Sequence, residues 1–305
     1  MDRVRRQIEC TDEMLFGNRN KPVGVAVLDT GIANHPDFKN RIVDFNDFLN
    51  NKRDIYDDSG HGTHVAGCIG GDGRMSGGKY RGIHPGCNFV IGKVLNSNGD
   101  GNLKDMVRGL EWVLQCAKKY DICVVNISVG VNDTNEKNLL KRMLELVEEA
   151  WRRNILIVCA AGNSGPKPMS LSPLGMGNHV ISVGCHDGDY FRNKEGTCEI
   201  YSGRGPSPYA MKKPDLVAPG TDIVSCNAMY STGNRRYQVP YIKKSGTSMS
   251  TPIVTGAAAL LVQKYGRMEC EEIKRRLIYS AIDLNEPWTK QGWGMLNVRR
   301  LLEII

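Results

Sequence analysis

Apolar residues in this chain fall into short unbroken runs separated by longer amphipathic stretches. The runs Val23–Leu28, Asn88–Leu95, Ile122–Ile127, Ile155–Ala160 and His179–Cys185 have the length and continuity of strands covered on both faces, as in a parallel sheet. Between them, Leu103–Lys119 carries apolar residues at 103, 106, 107, 110, 113, 114 and 117, the period of an amphipathic helix. Glu136–Arg153 is a second predicted helix. Strands alternating with helices predict right-handed βαβ units and an α/β fold around a largely parallel sheet. After Cys185 the pattern loosens into Gly- and Pro-rich segments, with a hairpin expected around Gly233-Asn234. Met249–Tyr265, with Ala257-Ala258-Ala259-Leu260-Leu261-Val262 at its centre, reads as a helix buried all round, and Glu271–Ser280 and Val298–Ile304 as short closing helices. No repeat, low-complexity tract or linker interrupts residues 1–305, so one domain is expected.

Composition narrows the picture. With 305 residues, 41% apolar and 24% charged, the chain has the make-up of a soluble globular protein with a full core. No apolar run approaches the roughly 20 residues of a bilayer-spanning helix. The basic N-terminus leads into Gln7, Glu9, Asp12 and Glu13 rather than an apolar stretch, unlike a secretory signal. Ten cysteines are scattered without a Cys-x-x-Cys pair, so free buried thiols in a reducing cytoplasm are expected. The net charge of +7 is spread over pairs such as Arg152-Arg153, Lys212-Lys213 and Lys243-Lys244. Without an arginine-and-aromatic stripe this is a solvated surface, not a nucleic-acid footprint.

Candidate chemistry sits at the ends of elements. Asp29 ends the first buried run and precedes a Gly-bearing turn, where open α/β sheets place functional groups; a plain turn aspartate fits the same position. His61 lies between Gly60 and Gly62, and His64 leads into Val-Ala-Gly. Their i, i+3 spacing suits a metal, yet no Glu stands as in His-Glu-x-x-His. Gly70–Gly78 lacks the dinucleotide Gly-x-Gly-x-x-Gly spacing. Asn96–Gly101 begins like an EF-hand loop, but the twelfth residue is Val107 where a bidentate Glu is needed. Ser248 sits in a Gly/Ser/Thr-rich turn at or just before the start of the long buried helix. There it fits a helix cap or a hydroxyl in the field of unpaired N–H groups. Asp29, His61 and Ser248 are together the set that nucleophilic serine catalysis requires, and their order excludes the Ser…Asp…His order of α/β-hydrolases.

Four segments carry a family resemblance: Val27-Leu28-Asp29-Thr30-Gly31, His61-Gly62-Thr63-His64-Val65-Ala66-Gly67, Ala160-Ala161-Gly162-Asn163, and Gly246-Thr247-Ser248-Met249-Ser250-Thr251-Pro252. In this order they resemble subtilisin-family serine proteases, from about Phe16 to the C-terminus, with Ser in place of the usual Ala at 250. The resemblance implies a three-layer α/β/α sandwich around a largely parallel twisted sheet. It implies a serine endopeptidase with Ser248 as nucleophile, His61 as general base and acid, and Asp29 orienting His61; the catalytically silent relative is the alternative. Asn163 would contribute to the oxyanion hole. Ser128-Val129-Gly130 and Gly99-Asp100-Gly101 would flank a protein or peptide substrate bound as an extended strand, with Leu103 and Val129 lining an apolar pocket. Residues 1–20 become a flexible or inhibitory N-terminal extension, since only 28 residues precede Asp29, too few for the long pro-domain of secreted members. The character is that of intracellular bacterial members, and a cytoplasmic location is expected. The chemistry requires no cofactor. Asp37 matches a family calcium ligand, while Gly70–Tyr80 is poor in carboxylates, leaving structural calcium open.

Overall fold

A computed structural model describes residues 1–16, 21–129, 136–191, 195–206, 211–230 and 238–303. Two short helices, α1 (Asp2–Gln7) and α2 (Asp12–Phe16), precede seven strands of one sheet: β1 (Gly24–Asp29), β2 (Ile42–Asp47), β3 (Asn88–Lys93), β4 (Ile122–Ile127), β5 (Leu156–Ala160), β6 (Ile181–Cys185) and β7 (Leu216–Ala218). Their order is β2-β3-β1-β4-β5-β6-β7, and all six neighbouring pairs are parallel. The sheet is the middle layer of an α/β/α sandwich. Helices α3 (His61–Gly70), α4 (Leu103–Cys116), α5 (Lys137–Arg152), α6 (Cys198–Tyr201), α7 (Thr247–Tyr265), α8 (Cys270–Ser280), α9 (Trp288–Gln291) and α10 (Val298–Glu303) complete the α-helices among the described residues.

Side-chain alternation on the strands builds the two cores. Val25, Val27, Phe89 and Ile91 pack towards α1, α3, α7, α8 and α10, whereas Ala26, Leu28 and Val90 pack towards α4 and α5. The apolar runs predicted as strands are therefore wet on neither face, and β1 and β4 are buried from end to end. The edge strand β2 escapes that pattern. Its sequence Ile-Val-Asp-Phe-Asn-Asp is half-buried, because an edge strand needs no continuous apolar run, so it reads as loop in the sequence.

α7 crosses the middle of one core, buried from Met249 to Gln263. Truncating one of its leucines, such as Leu261, costs about 2–5 kcal/mol on the usual scale for buried side chains. The hairpin expected after β7 is present as β8 (Ile223–Cys226) paired antiparallel with β9 (Tyr241–Lys244); its turn at Gly233-Asn234 lies outside the described residues.

Three expectations change. Lys213 is not on a solvated surface: it is 1% exposed and bonds Asp215 at 2.5 Å, with Lys274 at 3.2 Å from the same carboxylate. Burial of a lysine needs such a partner. Cys185 and Cys198 are not free thiols. The end of β6 and the start of α6 bring their Cα atoms to 5.9 Å, and they form a disulfide, a pairing that no local pattern signals. The other eight cysteines are free. Residues 1–15 are built into the structure: Met1, Val4, Ile8, Cys10 and Leu15 belong to the larger core, and the Ile8 carbonyl accepts from the backbone N–H of Val298 at 2.7 Å. No helix among the described residues is long and apolar enough to cross a membrane.

Candidate active site

The C-terminal ends of β1, β3, β4 and β5 gather the predicted residues on one edge of the sheet. Asp29, fully buried, is the last residue of β1. His61 opens α3, and its Nδ1 lies 2.7 Å from Asp29 Oδ1. What approaches His61 closely is the turn after β1: a Cβ on Gly62 would overlap the Gly31 carbonyl oxygen and press on the Asp29 side chain. Glycine at 62 thus lets the imidazole reach the carboxylate.

A second carboxylate, which sequence reasoning missed, ties the two segments together. Asp57 Oδ1 accepts from Thr30 Oγ1 (2.8 Å), Ser59 N (3.2 Å) and Gly60 N (2.7 Å), and Oδ2 accepts from Thr63 N (2.8 Å) and Thr63 Oγ1 (2.6 Å). Thr30 Oγ1 also accepts from Gly62 N at 2.9 Å. Asp57 therefore covers Thr63 N, one of the orphan donors of the first turn of α3, while Thr30 covers Gly62 N, and the two together clamp that turn to the residue after Asp29. Below, fully buried Lys93 donates to Thr30 O, Leu95 O and Asp58. The Asp-Asp-Ser-Gly run before His61 held the signal for this cap.

Burial works to lower the His61 pKa, but the charge of Asp29 and its hydrogen bond overcome that, so it is raised above 6.5. His64 is the opposite case. It packs wholly inside, with Nε2 2.9 Å from Ile223 O and 3.1 Å from Ile242 O, and burial brings its pKa down to about 3. It is a core histidine held neutral.

Ser248 is the second residue of α7 and, unlike its buried neighbours, half-buried. Gly246 precedes the helix at φ 137°, a backbone region that favours glycine. Pro252 has no N–H, so the Ser248 carbonyl four residues earlier lacks its helical bond. Thr247 donates from both its backbone N–H and its hydroxyl to Asn163 Oδ1, each at 3.1 Å. With Oδ1 so occupied as acceptor, Nδ2 is the remaining donor of the Asn163 side chain. Asn163 and Ser248 line one cavity of about 440 Å³ with Ser164, Met169, Leu171 and Ser172. The last four, from the loop after β5, were not anticipated; the Ser/Pro/Leu-rich stretch directly after Asn163 was the available clue.

The predicted substrate edges leave neighbouring strand ends. Ser128 is buried and Val129 half-buried just past β4, while Gly99, Asp100 and Gly101 are exposed in the turn between β3 and α4. Leu103 is buried at the start of α4. Gly130 lies outside the described residues.

Asp37 does not fit a calcium ion. Its carboxylate accepts from Gly73 N (3.1 Å), Met75 N (3.3 Å) and Tyr241 Oη (2.8 Å), and Cys226 Sγ stands at 3.7 Å. Calcium takes six to eight oxygen ligands, whereas the groups turned to this carboxylate are donors. Asp37 fastens the Gly73–Met75 loop by itself.

A carboxylate-held imidazole, a hydroxyl on a helix start and an amide lining the same cleft are the parts of a serine hydrolase site. The chain belongs to the subtilase family, whose model matches residues 20–294. Among curated proteins it is 39% identical over 270 residues to the serine protease AprX of Bacillus subtilis, covering 84% of this chain and 60% of that protein. It is 35% identical over 296 residues to the major intracellular serine protease of the same species, with 92% and 82% covered. With subtilisin DY of Bacillus licheniformis the identity is 32% over 286 residues, with 92% and 91% covered.

Proposed function

We propose that the chain is a serine endopeptidase, with Ser248 as nucleophile, His61 as general base and then acid, and Asp29 orienting the imidazole. The reading rests above all on the 2.7 Å contact between Asp29 Oδ1 and His61 Nδ1. That bond fixes the tautomer and leaves Nε2 free to take the Ser248 proton. Attack on a peptide carbonyl forms a tetrahedral oxyanion, which the Asn163 amide and the Ser248 N–H receive. The N-terminal end of α7 adds a favourable field for that charge. Collapse expels the amine, protonated by His61, and water then releases the acyl group by the reverse steps.

The peptide binds as an added strand between Ser128-Val129-Gly130 and Gly99-Asp100-Gly101, with Leu103 beneath. Among the described residues the cleft beside Ser248 has no ionisable lining group, which favours an uncharged side chain at the cleavage site. One domain spans the chain; the eight free thiols favour a cytoplasmic site of action and the single Cys185–Cys198 disulfide weighs against it.

A fluorophosphonate probe tests the assignment. Labelling of the wild type but not of Ser248→Ala is expected, together with cleavage of peptides as well as simple esters. Absence of labelling in both proteins would support a catalytically silent scaffold instead.

A further inference from the structure

α1 reaches the nucleophile turn through a continuous set of polar contacts. Arg3 is largely buried, with its guanidinium over the rings of Tyr190 and Phe191 at 4.7 Å each. Its Nη2 lies 3.4 Å from Asp187 Oδ1 and donates to the Thr221 carbonyl at 2.5 Å. Asp187, 1% exposed, accepts from the backbone N–H groups of Gly220 and Thr221 at 3.2 Å each. Gln7, also on α1, donates to the Asp187 carbonyl at 2.7 Å. Gly220 O then accepts from Gly246 N at 3.0 Å, and Asp222 N donates to Ser245 Oγ at 2.9 Å. Gly246 leads directly into Thr247, which holds Asn163, and Ser248.

We infer that Arg3 is a positioning residue: through Asp187 and the Gly220–Asp222 turn, α1 holds the Ser245–Ser248 segment in its reactive shape. The N-terminal helix would then be an activating brace of the enzyme rather than an inhibitory extension. The physical case is the length of the lever. Gly220 presents its N–H to Asp187 and its C=O to Gly246, so any tilt of this residue moves the start of α7. Ser250, whose hydroxyl donates to Ala218 O at 2.9 Å and Pro219 O at 3.2 Å, and Thr221 Oγ1, which accepts from Cys198 N at 2.8 Å, also restrain the segment between β7 and β8, so loss of the Arg3 contacts loosens the turn without releasing it. A misplacement of about 1 Å at a reacting group can cost roughly 100-fold in rate, so a partial loosening should cost about tenfold. The inference rests on Ser248 being the nucleophile.

The two alternatives predict opposite signs. In the full chain, Arg3→Met is expected to lower kcat on a peptide substrate and the rate of fluorophosphonate labelling by the same factor, roughly 3- to 10-fold, with KM nearly unchanged. Arg3→Lys, which keeps a cation able to reach Thr221 O, should recover most of kcat. Arg3→Met and Asp187→Asn should be non-additive in kcat, because they act along one path. An unchanged kcat accompanied only by a lower melting temperature would overturn the inference, as would a raised kcat, the mark of an inhibitory segment, or full additivity. If Arg3→Met does not fold, Arg3→Lys with Gln7→Leu carries the same comparison, with a threefold or smaller loss of kcat supporting the brace and no loss refuting it. Failure of the wild type to label would remove the nucleophile assignment and this inference together, whereas labelling of wild type and Arg3→Met at equal rates removes this inference alone.

Discussion

Asp57→Asn tests how the candidate site is held together. In the wild type one carboxylate oxygen serves Thr30, Ser59 and Gly60, and the other serves the N–H and hydroxyl of Thr63. An asparagine can keep its oxygen on the first side only by turning its NH2 towards the two Thr63 donors. Two buried donors then lose their acceptor, at about 1–3 kcal/mol each, for a total near 2–6 kcal/mol. That is a large part of the roughly 5–15 kcal/mol that stabilises a typical domain. Urea unfolding followed by tryptophan fluorescence measures it, in a Ser248→Ala background to prevent self-digestion. The pH dependence adds a second reading. Burial works to raise the Asp57 pKa, but the hydrogen bonds from Thr63, Gly60 and Thr30 outweigh it and hold the carboxyl below 3.8. A carboxyl depressed in the folded state stabilises above its unfolded pKa and loses that contribution as pH falls through the folded pKa. The gap between wild type and Asp57→Asn should therefore be full at neutral pH and shrink below pH ~4. With Ser248 restored, kcat should also fall, because Thr30 Oγ1 links Asp57 to Gly62 beside His61. A destabilisation under about 0.5 kcal/mol at pH 7, the size of an ordinary surface change, would refute the clamp.

Asn163→Ala should lower kcat by about 10²–10³, the loss already known for such amides in subtilisins, and Thr247→Val, which removes one of two bonds to Asn163 Oδ1, should cost much less; steady-state kinetics on one peptide compares them. Peptidase activity should rise with pH through a midpoint above 6.5, because Asp29 holds the His61 proton against the effect of burial and only the neutral imidazole can act as base. A midpoint below 6 in kcat/KM would contradict that coupling. His64 stays neutral in the fold, with a pKa near 3, so the unfolded chain binds more protons between that value and about 6.5. Stability should fall as pH drops from 7 to 5, and His64→Leu should fall less steeply, by up to about 1.4 kcal/mol per pH unit, in urea titrations at both pH values.

The chain alone determined the layers and named the candidate reacting groups. Runs such as Val23–Leu28 and Ile122–Ile127 are unbroken because both faces of those strands meet helices, and a pattern set by burial is readable without coordinates. The motifs around Asp29, His61, Asn163 and Ser248 were equally plain, since each pairs a chemical group with the glycines its surroundings demand. The tertiary structure alone decided what holds them. β2 is invisible in the sequence because an edge strand can be half polar. Asp57 acts on Thr30 and Thr63 together, and Asp187 on Gly220 and Thr221, through contacts between segments that local periodicity does not connect. The same reason separates Cys185 and Cys198 from the eight free cysteines, and Lys213 from the surface lysines. Asp37 marks the boundary most sharply. Its match to a family calcium ligand suggested calcium, but the groups that donate to its carboxylate are backbone N–H groups and the Tyr241 hydroxyl. The sequence can name a carboxylate; only the packing of distant backbone decides whether it receives N–H groups or a cation.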